Sequence, residues 1–257
     1  MNKTTLVRLS QGHLNLLETC PPRFQRIYLD RLATPPDLEN WEKQEWGSQF
    51  HRLLQQRELG LPIDGLLRED PQLQHSLNAL LEAAPEILHG RGEIDRSAEH
   101  CRTLSVGNYL LTVIYDLLRF ESDRATIFDW KTYLKPEKPD KLARNWQTRL
   151  YLYVLAETSS YSPDRLSMTY WFVRLPREPE SLTFAYSREL HERTRQDLTR
   201  LLDDLDRWLD DYEKGIPFPH RGDCETNCPY GKSIGILPRA GNSIEGIDSI
   251  GEIDPFA

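Results

Sequence analysis

Residues 113–132 read VIYDLLRFESDRATIFDWKT, and this stretch decides the fold. Its two apolar arms have the composition of strands, and the polar tetrad ESDR between them predicts a hairpin turn. We expect Asp116 to end the first strand and Asp129 to end the second, with Lys131 two residues further on. Charged side chains within strands are costly unless a partner compensates them. The hairpin therefore predicts a site at which these charges are compensated.

The spacing within the second arm indicates what the site can do. Side chains two positions apart on a strand share a face, so Asp129 and Lys131 should point the same way and Trp130 the opposite way. Two carboxylates, Asp116 and Asp129, suit a hard divalent cation such as Mg²⁺, and a lysine can orient or help deprotonate a metal-bound water. This set suits hydrolysis of a phosphodiester. The alternative is an ordinary surface hairpin, because Asp-x-Lys is a short and common pattern.

The composition is that of an ordinary globular chain, with 257 residues, 39% of them hydrophobic and 28% charged. No run approaches the roughly 18 apolar residues that span a bilayer, and the N-terminus lacks an apolar signal core. We therefore expect a cytoplasmic protein without a membrane partner. Four cysteines are too few for a secreted disulfide scaffold of this size. The net charge of -8 argues against attraction of nucleic acid by the whole surface, but it allows a local basic track.

Apolar periodicity places the hairpin between helical segments. The pattern predicts helices over 8–32, 40–57, 71–89, 141–157 and 188–214. It predicts strands over 100–106, 109–118, 125–132, 165–175 and 182–187, the first two joined by a turn at Gly107-Asn108. Residues 236–257 have no clear period, and we expect a weakly ordered tail there.

Three further features accompany the hairpin, each of them weak when taken alone. Gly47-Ser-Gln-Phe-His51 places a histidine on a predicted helix, close after a glycine that permits tight packing. Gln147 and Tyr151 are one helical turn apart after the hairpin and therefore present together. Three cysteines lie towards the two ends of the chain, at Cys20, Cys224 and Cys228.

Taken in order, these residues resemble the RecB-like branch of the PD-(D/E)XK nuclease superfamily, which includes AddB and CRISPR-associated RecB-like enzymes. The resemblance runs from Leu9 to about Lys232. It implies an α/β fold with a restriction-endonuclease-like core, in which helices flank a mixed central sheet. It also implies a single nuclease domain over 1–235. This domain would have a helical part at 8–90, a catalytic core at about 100–187, and a final helix and cysteine segment at 188–235.

The resemblance also implies roles for individual residues. The ligands of a Mg²⁺ or Mn²⁺ ion would be His51, Asp116 and Asp129, together with the main-chain carbonyl of Phe128 or Trp130. Lys131 would serve the attacking water. Gln147 and Tyr151 would touch the nucleic-acid backbone or brace the site, and Glu99 would be an outer group.

The chain departs from the family pattern in two places. Tyr115 precedes Asp116 where relatives carry proline, which changes only the path of the strand. Many relatives hold an iron–sulfur cluster with one early and three late cysteines, and the fourth is missing here from GKSIGI at 231–236. An intact cluster is therefore not expected, which leaves a remnant or a zinc site completed by His220. We expect Cys101 to be a small buried hydrophobe.

A basic stretch lies close to the proposed site. Its predicted contacts to nucleic acid are Lys135, Lys138, Lys141, Arg144 and Arg149, interleaved with aromatic residues. Such a stretch suits phosphate contacts and base stacking on a single strand. A solvated loop and helix face is the alternative.

Together these observations predict a Mg²⁺- or Mn²⁺-dependent deoxyribonuclease, exonuclease-like on single-stranded or frayed ends. The alternative is a nucleic-acid-binding subunit that does not cut, within a helicase–nuclease or CRISPR-associated complex. No helicase motif is visible, so any unwinding would come from a partner.

Overall fold

The computed structural model describes residues 6–33, 38–88, 93–133, 137–175 and 178–221. The strands in this part of the chain are β1 Val7–Leu9, β2 Glu93–Val106, β3 Tyr109–Glu121, β4 Ala125–Lys131, β5 Leu166–Phe172 and β6 Glu180–Ala185. The α-helices are α1 Gln11–Thr19, α2 Pro21–Phe24, α3 Leu38–Glu58, α4 Asp64–Glu69, α5 Pro71–Ala83, α6 Pro85–Leu88, α7 Pro139–Arg144, α8 Trp146–Thr158 and α9 Arg188–Glu213. A π-helical turn, Gln25–Leu29, follows α2, and a 3₁₀ turn, Pro163–Arg165, precedes β5.

The strands form one mixed six-stranded sheet, in which β3 pairs with three other strands. The first edge of β3 pairs with antiparallel β2 along its whole length. Its other edge pairs with parallel β1 at residues 109–111 and with antiparallel β4 at residues 117–120. β4 continues beside parallel β5, and antiparallel β6 closes the sheet. This arrangement confirms the predicted α/β class with a mixed central sheet.

Helices cover both faces of the sheet. On one face, α1, α8 and α9 pack over a core that includes Tyr115 and Trp146, both fully buried. On the other face, α3 and α5 pack over a second core that includes Phe50, Phe128 and Trp130. Full burial of a large apolar side chain stabilises a fold by about 1.5–3 kcal/mol, so these two cores hold the sheet in place.

The two central strands of the hairpin separate where the charged residues lie. β3 and β4 pair from Phe120 opposite Ala125 to Leu117 opposite Phe128, and their pairing ends there. β4 nevertheless stays paired with β5 as far as Lys131. The next residues in register across the opening are Asp116 and Asp129. The sheet therefore opens between the two carboxylates that the sequence singled out.

Several element boundaries differ from the prediction. β3 runs on to Glu121, so Asp116 lies within the strand and does not end it. β2 begins at Glu93, not near residue 100. The segment predicted as a helix from residue 8 starts with β1, and the helix breaks at Cys20, whose non-helical backbone (φ -152, ψ 77) precedes Pro21.

The expectation that Cys101 is buried is wrong. Cys101 is exposed, because β2 forms an edge of the sheet and this side chain faces solvent. The predicted turn at Gly107 is confirmed, with the positive φ of 58° that glycine tolerates. The predicted tail at 236–257 lies outside the described residues. Among the residues that are described, no helix has the length and apolar character needed to cross a bilayer.

Candidate active site

A glycine on α3 allows a histidine to reach the opening in the sheet. A Cβ atom on Gly47 would lie 3.0 Å from Oγ1 of Thr132, so only glycine lets α3 approach the end of β4 this closely. One turn later, His51 places Nε2 3.1 Å from the carbonyl oxygen of Trp130. Its other ring nitrogen, Nδ1, lies 3.2 Å from Oδ1 of Asp116.

The surroundings of His51 favour its charged form. Burial lowers the pKa of the imidazole, but the neighbouring carboxylates, with Asp116 foremost, raise it to about 9. Both ring nitrogens face oxygen atoms, and only a doubly protonated ring can donate to both. These contacts favour an imidazolium between Asp116 and the main chain of β4. As a metal ligand, His51 would release one of these protons, because only a neutral imidazole nitrogen has a lone pair to offer.

Asp116 replaces a contact that the separating strands lose. Its Oδ2 accepts a hydrogen bond of 2.7 Å from the main-chain N–H of Trp130. This N–H lies beyond the last pair of the β3–β4 ladder, where no strand partner is available on that side. The carboxylate therefore holds the opening in a defined shape.

Glu99 belongs to the same cluster. It lies on β2 between two register pairs, Ala98 opposite Leu117 and His100 opposite Tyr115, and so stands opposite Asp116. Its φ of 48° is left-handed, a conformation that costs a residue with a side chain about 1–3 kcal/mol and is concentrated at functional sites. Burial, together with Asp116, raises the pKa of Glu99 to about 7.

Three side chains converge at distances that suit a cation. One ligand atom from each of His51, Glu99 and Asp116 lies within 4.8 Å of the other two. Two carboxylates this close repel each other, and a divalent cation with oxygen ligands would relieve that repulsion. The residues present therefore fit a Mg²⁺- or Mn²⁺-like ion.

A second group, with two buried charges, lies beside this cluster. Nζ of Lys131 is 2.8 Å from Oδ1 of Asp129 and donates a 2.6 Å hydrogen bond to Oε1 of Gln147. The Gln147 amide completes the triangle, because its Nε2 donates to Oδ2 of Asp129 at 2.8 Å. The ammonium also lies 5.0 Å from the ring centroid of Tyr170, within cation–π range. Two buried, opposite charges thus share one amide, and the partly buried Gln147 forms the side of the group that faces solvent.

In the pair of Lys131 and Asp129, each charge favours the charged form of the other. Burial lowers the pKa of Lys131, but Asp129 outweighs burial and holds that pKa above its ordinary value. Burial raises the pKa of Asp129 to about 6, against the effect of Lys131. Oδ1 of Asp129 is buried and lies 2.8 Å from the Lys131 ammonium, and a carboxylate oxygen can accept more than one partner. That oxygen keeps a lone pair for a cation.

The comparison with known families identifies the fold. A family model of the PD-(D/E)XK nuclease superfamily matches residues 8–233. The chain belongs to this superfamily. The match spans the hairpin, the histidine helix and the glutamine helix that build the site.

Solved structures agree with that assignment at the level of the fold. A protein from Eubacterium rectale, provisionally named an exonuclease, has a TM-score of 0.53 at 10% identity, over 96% of this chain and 97% of that chain. The structure of SSO0001 has a TM-score of 0.36 at 12% identity, over 77% of this chain and 74% of that one, and supports no argument. No curated protein matches the sequence.

The residues predicted from the PD-(D/E)XK pattern are found in two groups. His51 and Asp116 lie in the cation cluster, and Glu99, predicted as an outer group, joins them there. Asp129 lies against Lys131 and Gln147, so its place among the ligands stays a prediction.

Tyr151 and Tyr115 join α8 to β3. Tyr151 is buried, and its main-chain oxygen accepts a 3.0 Å hydrogen bond from the hydroxyl of Tyr115. The two rings meet edge to face at 5.3 Å. The tyrosine that replaces the family proline therefore anchors β3 to α8.

The predicted basic track divides into two parts. Lys138, Lys141 and Arg144 are exposed at α7, which leads into the helix of Gln147. Arg149 instead stacks over Trp146 at 4.2 Å and pairs with Asp197 of α9, so it belongs to helix packing. Lys135 lies outside the described residues.

The cysteine prediction remains untested. Cys20 follows α1 and is partly buried, whereas Cys224 and Cys228 lie outside the described residues. The segment after α9 nevertheless packs against α2, which directly follows Cys20, because the ring of Phe218 stacks on that of Phe24.

Proposed function

We propose that this chain is a divalent-metal-dependent deoxyribonuclease that hydrolyses phosphodiester bonds. The observation that carries the proposal is the Asp129–Lys131–Gln147 triangle, whose two charges are buried, beside the cluster of His51, Glu99 and Asp116. His51, Asp116 and Asp129 would hold Mg²⁺ or Mn²⁺, with the Trp130 carbonyl and Glu99 adjacent. The ion would polarise the phosphate and acidify a bound water.

The protein's own groups supply orientation and charge. Asp129 and Gln147 hold the Lys131 ammonium in place, so its remaining N–H can orient a water or stabilise the negative charge that develops on the phosphate. Such preorganised donors act strongly in a dry site, and Lys131 is only 1% exposed. Lys131 thus serves the attacking water.

We further propose that the substrate is DNA with a single-stranded or frayed end, and that the chain belongs to the RecB-like branch. The order of the motifs supports the branch. The exposed side chains of Lys138, Lys141 and Arg144 lie on the approach to α8, where they can contact a phosphate backbone. The provisional name of the Eubacterium rectale protein is consistent with action at ends. A helicase or a CRISPR-associated protein would supply the opened strand.

Cleavage of end-labelled DNA tests the proposal. Single-stranded and duplex substrates, labelled at either end, are incubated with Mn²⁺, Mg²⁺ or EDTA. We expect metal-dependent products from the wild type and none from Asp129→Asn. Asp164→Asn is the matched control, because Asp164 pairs with Arg188 at the surface, where both side chains are at least half exposed. A folded wild type that binds DNA without cutting it would favour the non-cutting subunit instead.

A further inference from the structure

The first turn of α8 carries Gln147, and a side chain outside the helix determines where that turn lies. Asn145 precedes the helix, and its Oδ1 accepts a 2.8 Å hydrogen bond from the main-chain N–H of Gln147. The first N–H groups of a helix have no partner within the helix, so such a cap determines the geometry of the turn. The Gln147 side chain then reaches Asp129 and Lys131.

A residue of α1, distant in the sequence but in contact with α8, completes this cap. Asn15 donates through Nδ2 to Oδ1 of Asn145 at 3.1 Å. Its own Oδ1 accepts a 3.1 Å hydrogen bond from the main-chain N–H of Trp146. A main-chain N–H only donates, so both amides must present their oxygens to α8, and the orientation of the pair is fully determined.

We infer that Asn15 is a positioning residue for the active site and acts through Gln147. Together with Asn145, it holds two consecutive N–H groups of α8, which determines the height and rotation of the turn that carries the Gln147 amide. That amide must meet Lys131 at 2.6 Å and Asp129 at 2.8 Å. A small shift of the turn would separate the Gln147 amide from Lys131 and Asp129. Catalytic geometry tolerates only displacements well below 1 Å. The catalytic part of this inference rests on the proposed function.

A matched position on the same helix separates positioning from general packing. Glu18 lies one turn after Asn15, and its Oε1 is 3.8 Å from Nη1 of Arg149 in α8. Replacing Glu18 with glutamine removes the charge pair with Arg149 between α1 and α8. The glutamine oxygen can still accept from the side chain of Trp146, so the first turn of α8 keeps that contact. A purely structural role predicts similar effects from Glu18→Gln and Asn15→Ala.

Steady-state kinetics test the catalytic consequence. Asn15→Ala should lower kcat for DNA cleavage by about tenfold with KM changed by less than about twofold, because the Gln147 side chain bonds Lys131 and Asp129, which act in the chemical step. Asn145→Asp keeps an acceptor for both donors and should retain most activity, unlike Asn145→Ala. In a Gln147→Ala background, Asn15→Ala should add no further loss. An additive loss, or an equal loss from Glu18→Gln, would overturn the inference.

A spectroscopic measurement tests the positioning itself, whether or not DNA is cut. In ¹⁵N-labelled protein, the side-chain amide resonances of Gln147 can be assigned by their loss in Gln147→Glu. Asn15→Ala should shift or broaden them, and Glu18→Gln should leave them in place. Unmoved resonances in Asn15→Ala would refute the inference. If the wild type does not cleave, the nuclease proposal fails, and these resonances alone decide the role of Asn15.

Discussion

At the scale of single residues, the site is built from charged groups, each of which is stable in its place only because an oppositely charged partner compensates it. Lys131 and Asp129 are each almost fully buried, and isolated charges at such depth would be strongly unfavourable. The Gln147 amide satisfies both of them at once. His51 likewise compensates the carboxylate of Asp116 on β3. Changes to one partner should therefore affect stability as well as catalysis.

The first residue-scale prediction concerns Lys131→Met. This change leaves Asp129 buried without its cation, so we expect the free energy of unfolding to fall by about 3–5 kcal/mol. Cleavage should be abolished, whereas DNA binding in a gel-shift assay should persist in the folded variant. Urea titration measures the stability. The double variant Lys131→Met/Asp129→Leu removes both charges and should recover part of the loss; if it is less stable than the single variant, the burial argument is wrong.

The pH dependence of stability gives a second prediction. The pKa of His51 is about 9 in the folded protein and about 6.5 when exposed. The folded state therefore binds the extra proton, and its contribution is complete below pH 6.5 and lost as the pH rises towards 9. In EDTA, the free energy of unfolding should fall over this window by up to about 3 kcal/mol. Denaturant titrations of His51→Gln should give a flatter profile, and parallel profiles would contradict the assignment.

At the scale of elements, the approach of α3 to the end of β4 determines where His51 lies. Gly47 permits this approach, because a Cβ atom added to Gly47 would lie only 3.0 Å from Oγ1 of Thr132. The separation of β3 from β4 provides the opening that His51 enters. The site thus depends on how closely one helix packs against one strand.

We predict that Gly47→Ala moves α3 outward by a few tenths of an ångström and weakens metal binding through His51. The rise in melting temperature caused by Mn²⁺ should shrink, and cleavage should fall with it. Gly65→Ala is the control, because nothing lies within 4 Å of a Cβ atom there, and this helical change should not reduce stability. Thr132→Ala removes the obstructing oxygen and should restore the Mn²⁺ response of Gly47→Ala; without such rescue, the steric explanation fails.

At the scale of the whole molecule, local patterns predict the hairpin and its chemistry, but not every contact across the sheet. The strand composition of β3 and β4 and the spacing of Gln147 and Tyr151 are visible in the sequence. The place of Glu99 depends on register: the turn at Gly107 sets β2 against β3 so that Glu99 faces Asp116. A three-residue strand such as β1 leaves no period to detect. The sequence predicts Arg149 as a contact to nucleic acid, and only packing reveals its partner on α9.

The closure of the domain leads to the last prediction. Phe218 is 3% exposed and lies against Phe24 and Trp208, and its N–H donates to Oε1 of Gln25 at 2.8 Å. These contacts tie the segment after α9 to α2, so Phe218→Ala should lower the free energy of unfolding by about 3–5 kcal/mol. The active site is elsewhere in the fold, so kcat well below the melting temperature should stay unchanged. Urea titration should show no comparable loss for Ile216→Ala, whose side chain is 51% exposed. Equal losses from the two variants would show that this segment does not close the domain.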